Sequence, residues 1–185
     1  MKIVIYGSAV FPVFFKEVIR VSQNIDWYII VPSYHFRDEF ISLLGPEKVF
    51  YTQEKLNILM SEKKVDLSAL SGYHGSIYAD LATDKHDLRY LDKEYQLKNG
   101  FMTYLTYKNF LLDVKPDCVL FPIIESSDAK ILYSVCKELG IETALSVHAR
   151  NLGVSFFSRT STEDLPEYAF NVSMCQALPF VFLTS

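Results

Sequence analysis

Short apolar runs alternate with longer amphipathic stretches along this chain. Residues 3–6 form the first run, rich in β-branched side chains and stopped by Gly7-Ser8, and predict a buried strand. Phe14, Val18, Val21 and Ile25 then recur at helical spacing, with Pro12 at a first-turn position. Residues 27–31 predict a second buried strand, closed by Pro32-Ser33. Phe36, Phe40, Leu43 and Leu44 fall at i, i+4, i+7 and i+8 and predict a second helix, ended by Gly45-Pro46 as a glycine followed by proline ends helices. Residues 48–52 make a third short strand.

Residues 54–92 are polar with scattered tyrosines and predict one or two helices and a loop. The charges of Asp84-Lys85-His86-Asp87-Leu88-Arg89 read there as a solvated turn. A long helix follows over 93–114, with Leu97, Phe101, Tyr104, Leu105 and Leu112 as its apolar stripe. Lys115-Pro116-Asp117 stops it. Residues 118–124 form a continuous apolar strand. Ser126, Ser127 or Asp128 can cap the next helix, whose core face is Ile131, Leu132, Val135 and Leu139 and which Gly140 closes. Residues 141–147 make the last predicted strand. Continuous apolar strands separated by amphipathic helices require a mostly parallel sheet covered on both faces. The expected fold is therefore α/β, a three-layer Rossmann-like domain running β-α-β-α-β, a helical region, then β-α-β.

Composition narrows the class without changing it. The chain has 185 residues, 50% apolar and 22% charged, with a formal net charge of −4. That is a globular balance, and its mild acidity excludes a basic nucleic-acid footprint over the whole surface. One domain is expected over 1–168, with 169–185 as a tail or the start of an interdomain segment. Cys118, Cys136 and Cys175 are odd in number and widely spaced, so neither a disulfide framework nor a zinc site is expected, and reduced thiols fit a cytoplasmic setting. The apolar run at the amino terminus is too short for a signal peptide, and no run reaches the roughly 18 residues of a membrane span.

In an open parallel sheet, ligands bind beyond the carboxyl ends of the strands. That rule selects Gly7 and Ser8, His35, Glu125 with Ser126 and Asp128, and His148 with Arg150 and Asn151. Gly7 serves either a tight turn or a ligand contact, because the second and third glycines of a dinucleotide fingerprint are missing. His35 opens a helix, where it either faces solvent or meets a ligand. Glu125 follows Pro122-Ile123-Ile124 at the sheet rim. His148 offers an imidazole for proton transfer near neutral pH, and Arg150 a guanidinium that grips phosphate or carboxylate. Phe156 and Phe157 either pack on the core or stack on a sugar face. No phosphate-binding loop, hydrolase elbow or metal-ligand spacing occurs, and no cofactor is expected.

One stretch adds a resemblance. Residues 110–122 set out helix, Lys115-Pro116-Asp117, then buried strand. The pattern continues through Ala129-Lys130-Ile131-Leu132 and Glu138-Leu139-Gly140-Ile141 to His148, Arg150, Asn151, Phe156, Phe157 and the Glu163–Tyr168 segment. This layout resembles the amino-terminal half of capsule and surface-polysaccharide biosynthesis proteins, which are similar to two-domain GT-B glycosyltransferases. The resemblance spans roughly residues 1–168. It implies sugar transfer from a nucleotide-sugar to a glycan or lipid-linked acceptor. A second Rossmann-like domain, which these residues do not include, would hold the donor. It also implies peripheral contact with a membrane and possible homo-oligomers. His148 or Glu125 would act as the base and Arg150 would stabilise phosphate charge, while Gly7, Ser8, His35, Ser126, Asp128 and Asn151 would line the acceptor side. A non-catalytic module, flavodoxin-like or the leading domain of an ATP-grasp ligase, has the same strand-helix pattern and stays open, as does a scaffold paired with a separately encoded donor domain.

Overall fold

The computed structural model describes residues 1–7, 12–22, 24–32, 34–62, 64–84, 90–148 and 155–158. The strands are β1 (Lys2–Tyr6), β2 (Asp26–Val31), β3 (Val49–Tyr51), β4 (Cys118–Phe121), β5 (Glu142–His148) and β6 (Ser155–Ser158). The helices are α1 (Pro12–Val21), α2 (Arg37–Leu44), α3 (Thr52–Glu62), α4 (Ile77–Ala82), α5 (Lys93–Val114) and α6 (Ser127–Leu139). They form one sheet in the order β3-β2-β1-β4-β5-β6. The first five strands are parallel, and β6 runs antiparallel to β5. The fold is the expected α/β three-layer, Rossmann-like one.

Period-two alternation sorts the strand side chains between two cores. Ile3, Ile5, Trp27, Ile29 and Val31 point to the face covered by Phe15, Val18 and Ile19 of α1 and Phe40 of α2. Val4, Tyr6, Ile30, Val119, Phe121 and Leu145 point to the opposite face, under α5 and α6. Both faces are covered, so the central strands can be apolar throughout. Val4, Ile5, Ile29 and Ile30 are fully buried, each contributing about 1.5–3 kcal/mol of transfer free energy.

The α1 stripe differs from expectation. Phe15, Val18 and Ile19 face the core, Val21 is exposed, and Ile25 lies beyond the helix. In α5, Phe101 and Tyr104 are buried as expected and Leu97 and Leu105 pack against the core, but Leu112 is exposed. Met102, Thr106, Tyr107, Phe110 and Leu111 are buried as well. α5 packs against α3, α4 and α6 besides the sheet, so a single stripe does not describe it. The core face of α6 is as predicted for Ile131, Leu132 and Val135, with Leu139 partly buried. The chain leaves α6 through Gly140 in the left-handed region at φ 67°. Residues 122–124 lie outside β4, and β5 runs one residue further than expected, taking in His148. Ser155–Ser158, beyond the last strand that the sequence predicts, is a strand laddered to β5, with Ser155 opposite His148.

Candidate functional site at the carboxyl edge of the sheet

From β1 the chain crosses to β2 by α1 on one face; from β4 it crosses to β5 by α6 on the other. Adjacent strands whose continuations diverge in this way open a crevice between them. The crevice lies between the ends of β1 and β4. Gly7 follows β1, Glu125 and Ser126 follow β4, and His148 ends β5, so the parallel register brings these positions to one edge on three neighbouring strands. His35 sits beyond β2, in the 3-10 turn Tyr34–Phe36 that leads into α2. Ser8, Arg150 and Asn151 lie outside the described residues, as do Cys175 and the segment from 159 onward.

Gly7 is held by its neighbour strand. Its amide donates to the Ile30 carbonyl at 2.7 Å. A Cβ there would stand 3.0 Å from that same carbonyl oxygen and 3.0 Å from Ile29 Cδ1. The close approach of β2 accounts for the missing side chain.

Beside this edge, on the α5/α6 side of the sheet, a polar tie joins β1 to the first turn of α6. The Tyr6 hydroxyl donates to Asp128 Oδ2 at 2.5 Å and lies 3.5 Å from Ser126 Oγ. Its ring is 3% exposed and packs on Phe121 with centroids 6.0 Å apart. Burial first, and the Asp128 carboxylate second, push the Tyr6 phenol well above its ordinary range. The same two causes, in the same order, raise Tyr107, which is fully buried and accepts a hydrogen bond from Thr52 Oγ1 at 3.5 Å. Both phenols therefore stay protonated near neutral pH, and the Asp128 charge acts on each.

The cap of α6 is not local. Ser126 occupies the N-cap position but makes no side-chain cap bond. The Ser127 amide instead donates to Asp84 Oδ2 at 2.8 Å. Asp84 is 6% exposed, so the charge run that opens at this residue does not begin as a solvated turn. Of the two carboxylates near the rim, Glu125 is exposed and Asp128 half-buried. Tyr6, Tyr107 and Asp84 are the members of the site that the sequence did not single out. Tyr6 carried one faint signal, a phenol at the last position of an otherwise aliphatic strand.

The arrangement gathers carboxylates and hydroxyl groups at one edge of the sheet, chemistry that suits a hydroxyl-bearing ligand. Among the described residues no group of His, Cys, Asp and Glu is placed to hold a metal ion. No helix among them is long and apolar enough to cross a membrane. A cavity of about 600 Å³ lies elsewhere, along the open edge of β3. Comparison of the chain with protein-family models, with curated proteins and with solved structures finds no match in any of the three.

Proposed function

We propose that this chain is the acceptor-side half of a glycosyltransferase of capsular or surface-polysaccharide biosynthesis, acting with a second domain that holds the nucleotide-sugar. The observation that carries the reading is the composition of the β1/β4 crevice. Glu125, Ser126 and Asp128 follow β4 at this edge, and the Tyr6 hydroxyl reaches from β1 to Asp128 and to within 3.5 Å of Ser126. Carboxylates and hydroxyls suit a sugar's hydroxyl groups. The tight Gly7–Ile30 contact leaves no glycine-rich cradle for a pyrophosphate, consistent with a donor held by another domain.

In this reading the acceptor hydroxyl attacks the anomeric carbon as the bond to the nucleotide phosphate breaks. Glu125 or His148 takes the hydroxyl proton, and the phosphate leaves with its electron pair, a charge that the resemblance assigns to Arg150. Asp128 is a positioning residue: held by the Tyr6 phenol, it keeps the β4–α6 connection at a set distance from β1.

Binding tests the assignment. In saturation-transfer NMR, oligosaccharide acceptors are expected to give signals with this chain and nucleotide-sugars none. Asp128→Asn is expected to weaken the glycan signal. Signals from nucleotide-sugars alone would sink the acceptor-side assignment. With the donor domain supplied, Glu125→Gln or His148→Ala is expected to lower kcat by about 10²–10⁴. If both variants keep full turnover, the base is neither of them. The second reading, a non-catalytic binding module, is favoured by one feature: the Asp128 carboxylate is already engaged by Tyr6. It predicts glycan binding with no transfer under any pairing.

A further inference from the structure

One face of α6 is apolar and joins the core through Ile131, Leu132 and Val135. A second face carries Ser127, Lys130, Ser134 and Glu138, spaced three, four and four residues apart, so they form one polar row along the helix. Residues 69–84 are tied to that row in reverse order. The Ser127 amide donates to Asp84 Oδ2 at 2.8 Å, Lys130 Nζ to Thr83 Oγ1 at 2.7 Å, and Ser134 Oγ to the His74 carbonyl at 2.9 Å. At the far end a side chain at Gly72 would collide with the Glu138 carboxylate. There the Tyr104 hydroxyl lies 3.0 Å from the Ala69 carbonyl and 2.8 Å from Glu138 Oε2.

Burial anchors this segment, and the polar row sets its register. Ile77 and Leu81 of α4 are buried, and Leu81 lies against Gly100 of α5, where a Cβ would stand 2.9 Å from Leu81 Cδ2. Apolar burial is non-directional, whereas hydrogen bonds have a fixed geometry and so choose one position along α6. The row ends at the carboxyl edge of the sheet. Asp84 is 6% and Ser127 2% exposed, so their bond is made away from water, where it is strongest. Ser126, at the N-cap position, makes no side-chain cap bond, so the side-chain acceptor for the first turn comes from outside the helix. A carboxylate suits that place because it adds negative charge at the positive end of α6. Ser127 stands between Ser126 and Asp128, so a fixed Ser127 amide fixes both neighbours. Asp128 in turn holds the Tyr6 hydroxyl at 2.5 Å.

We infer that Asp84 is a positioning residue for the candidate site: acting through the Ser127 amide, it sets where Ser126 and Asp128 stand, and residues 69–84 are the strap that carries it there. What the position is used for rests on the acceptor-side reading, in which Ser126 and Asp128 line the acceptor. The coupling from Asp84 through Ser127 to the Tyr6–Asp128 tie belongs to the free protein and needs no ligand.

NMR on the full chain without ligand tests the inference. The Tyr6 hydroxyl proton, held on Asp128 and shielded from water, is identified by its loss in Tyr6→Phe. In Asp84→Ala this signal is expected to shift or exchange away. The amides of Ser127 and Lys130 should exchange about tenfold faster, the effect of a lost cap, with those of β2 unchanged. Asp84→Asn keeps an acceptor oxygen for the Ser127 amide and is expected to restore the Tyr6 signal. An Asp84→Ala protein with the parent's Tyr6 signal would overturn the inference, because a loss of stability alone speeds exchange without moving that contact. So would Asp84→Asn behaving as the alanine variant does. If Asp84→Ala fails to fold, native-state hydrogen exchange of the parent decides. The Ser127 amide is expected to open at the same free energy as the amides of Asp80 and Thr83 in the strap. A Ser127 amide that opens independently of those two would overturn the coupling. These readouts use no glycan, so a failure of the acceptor-side reading registers separately, as an absent glycan signal with the parent chain.

Discussion

At the scale of single residues, the tyrosines give the structure its clearest pH signature. Tyr6 and Tyr107 have phenols raised well above the ordinary range by burial and by the nearby Asp128 charge. A folded-state pKa above the unfolded value of about 10 means that the folded form keeps a proton the unfolded chain releases. The stabilisation is complete below about pH 10 and is lost as pH rises from there toward the folded values. Urea midpoints are expected to hold steady through neutral pH and fall in the alkaline range. Tyr107→Phe should flatten that fall, and an unchanged slope would contradict the assignment. Tyr6→Phe strands the Asp128 carboxylate next to apolar side chains and is expected to cost about 1–3 kcal/mol in the same assay. Asp84 acts at the same scale but over a long span, since it caps a helix 43 residues away in sequence. Asp84→Ala should cost about 1–2 kcal/mol and speed hydrogen exchange in the first turn of α6 ahead of the rest of that helix. Nothing in the neighbourhood of Asp84 in sequence distinguishes it from the charges that follow, because its partner amide is defined only by folding.

Elements show where local pattern is a sufficient guide. β1, β2, α2 and α6 fall where apolar periodicity and end signals put them, because each buries one well-marked face or, for the central strands, two. α1 shows the limit: Val21 fits a 3.6-residue stripe as well as Ile19 does, and the fold buries Ile19. α5 has helical length and end signals that are plain in sequence, but its burial on several sides reflects α3, α4 and α6 around it. β6 is four residues with no alternation of its own and exists as a strand through its ladder to β5. The β1–β2 pair carries a sharp test. Gly7→Ala would drive a methyl group to 3.0 Å from the Ile30 carbonyl, a backbone atom that a ladder holds in place. A loss of about 1–3 kcal/mol in chemical denaturation is expected, and a neutral substitution would show that β1 and β2 can part at this end.

For the molecule as a whole, the sheet order decides where stability and binding reside. β1 and β4 lie at its centre with apolar side chains on both faces, and α5 crosses beneath with Tyr104, Tyr107 and Phe101 among the largest fully buried groups. Amides of β1, β4 and the middle of α5 are expected to exchange only through global unfolding, while α3, with one buried apolar contact at Leu56, exchanges by local opening. Exchange from α3 as slow as from β1 would contradict this. α5 and α6 are joined at their exposed side by Lys108, whose ammonium donates to Glu138 Oε1 at 2.6 Å and to the Tyr104 hydroxyl at 2.8 Å. The crevice belongs to the strand reversal and the cavity to the open edge of the same frame.

The amino-acid pattern alone determined that strands and helices alternate, that both sheet faces are covered, and that Gly7, Glu125 and His148 fall at or just beyond the carboxyl ends of strands. These are properties of local periodicity, which a few turns of chain suffice to express. Tertiary structure decided that β1 lies beside β4, that Tyr6 meets Asp128 across 122 positions, that Asp84 caps α6, and that a cavity opens along β3. Each of those is a pairing between distant segments, set by how the crossovers pack, and no local repeat of apolar residues specifies it.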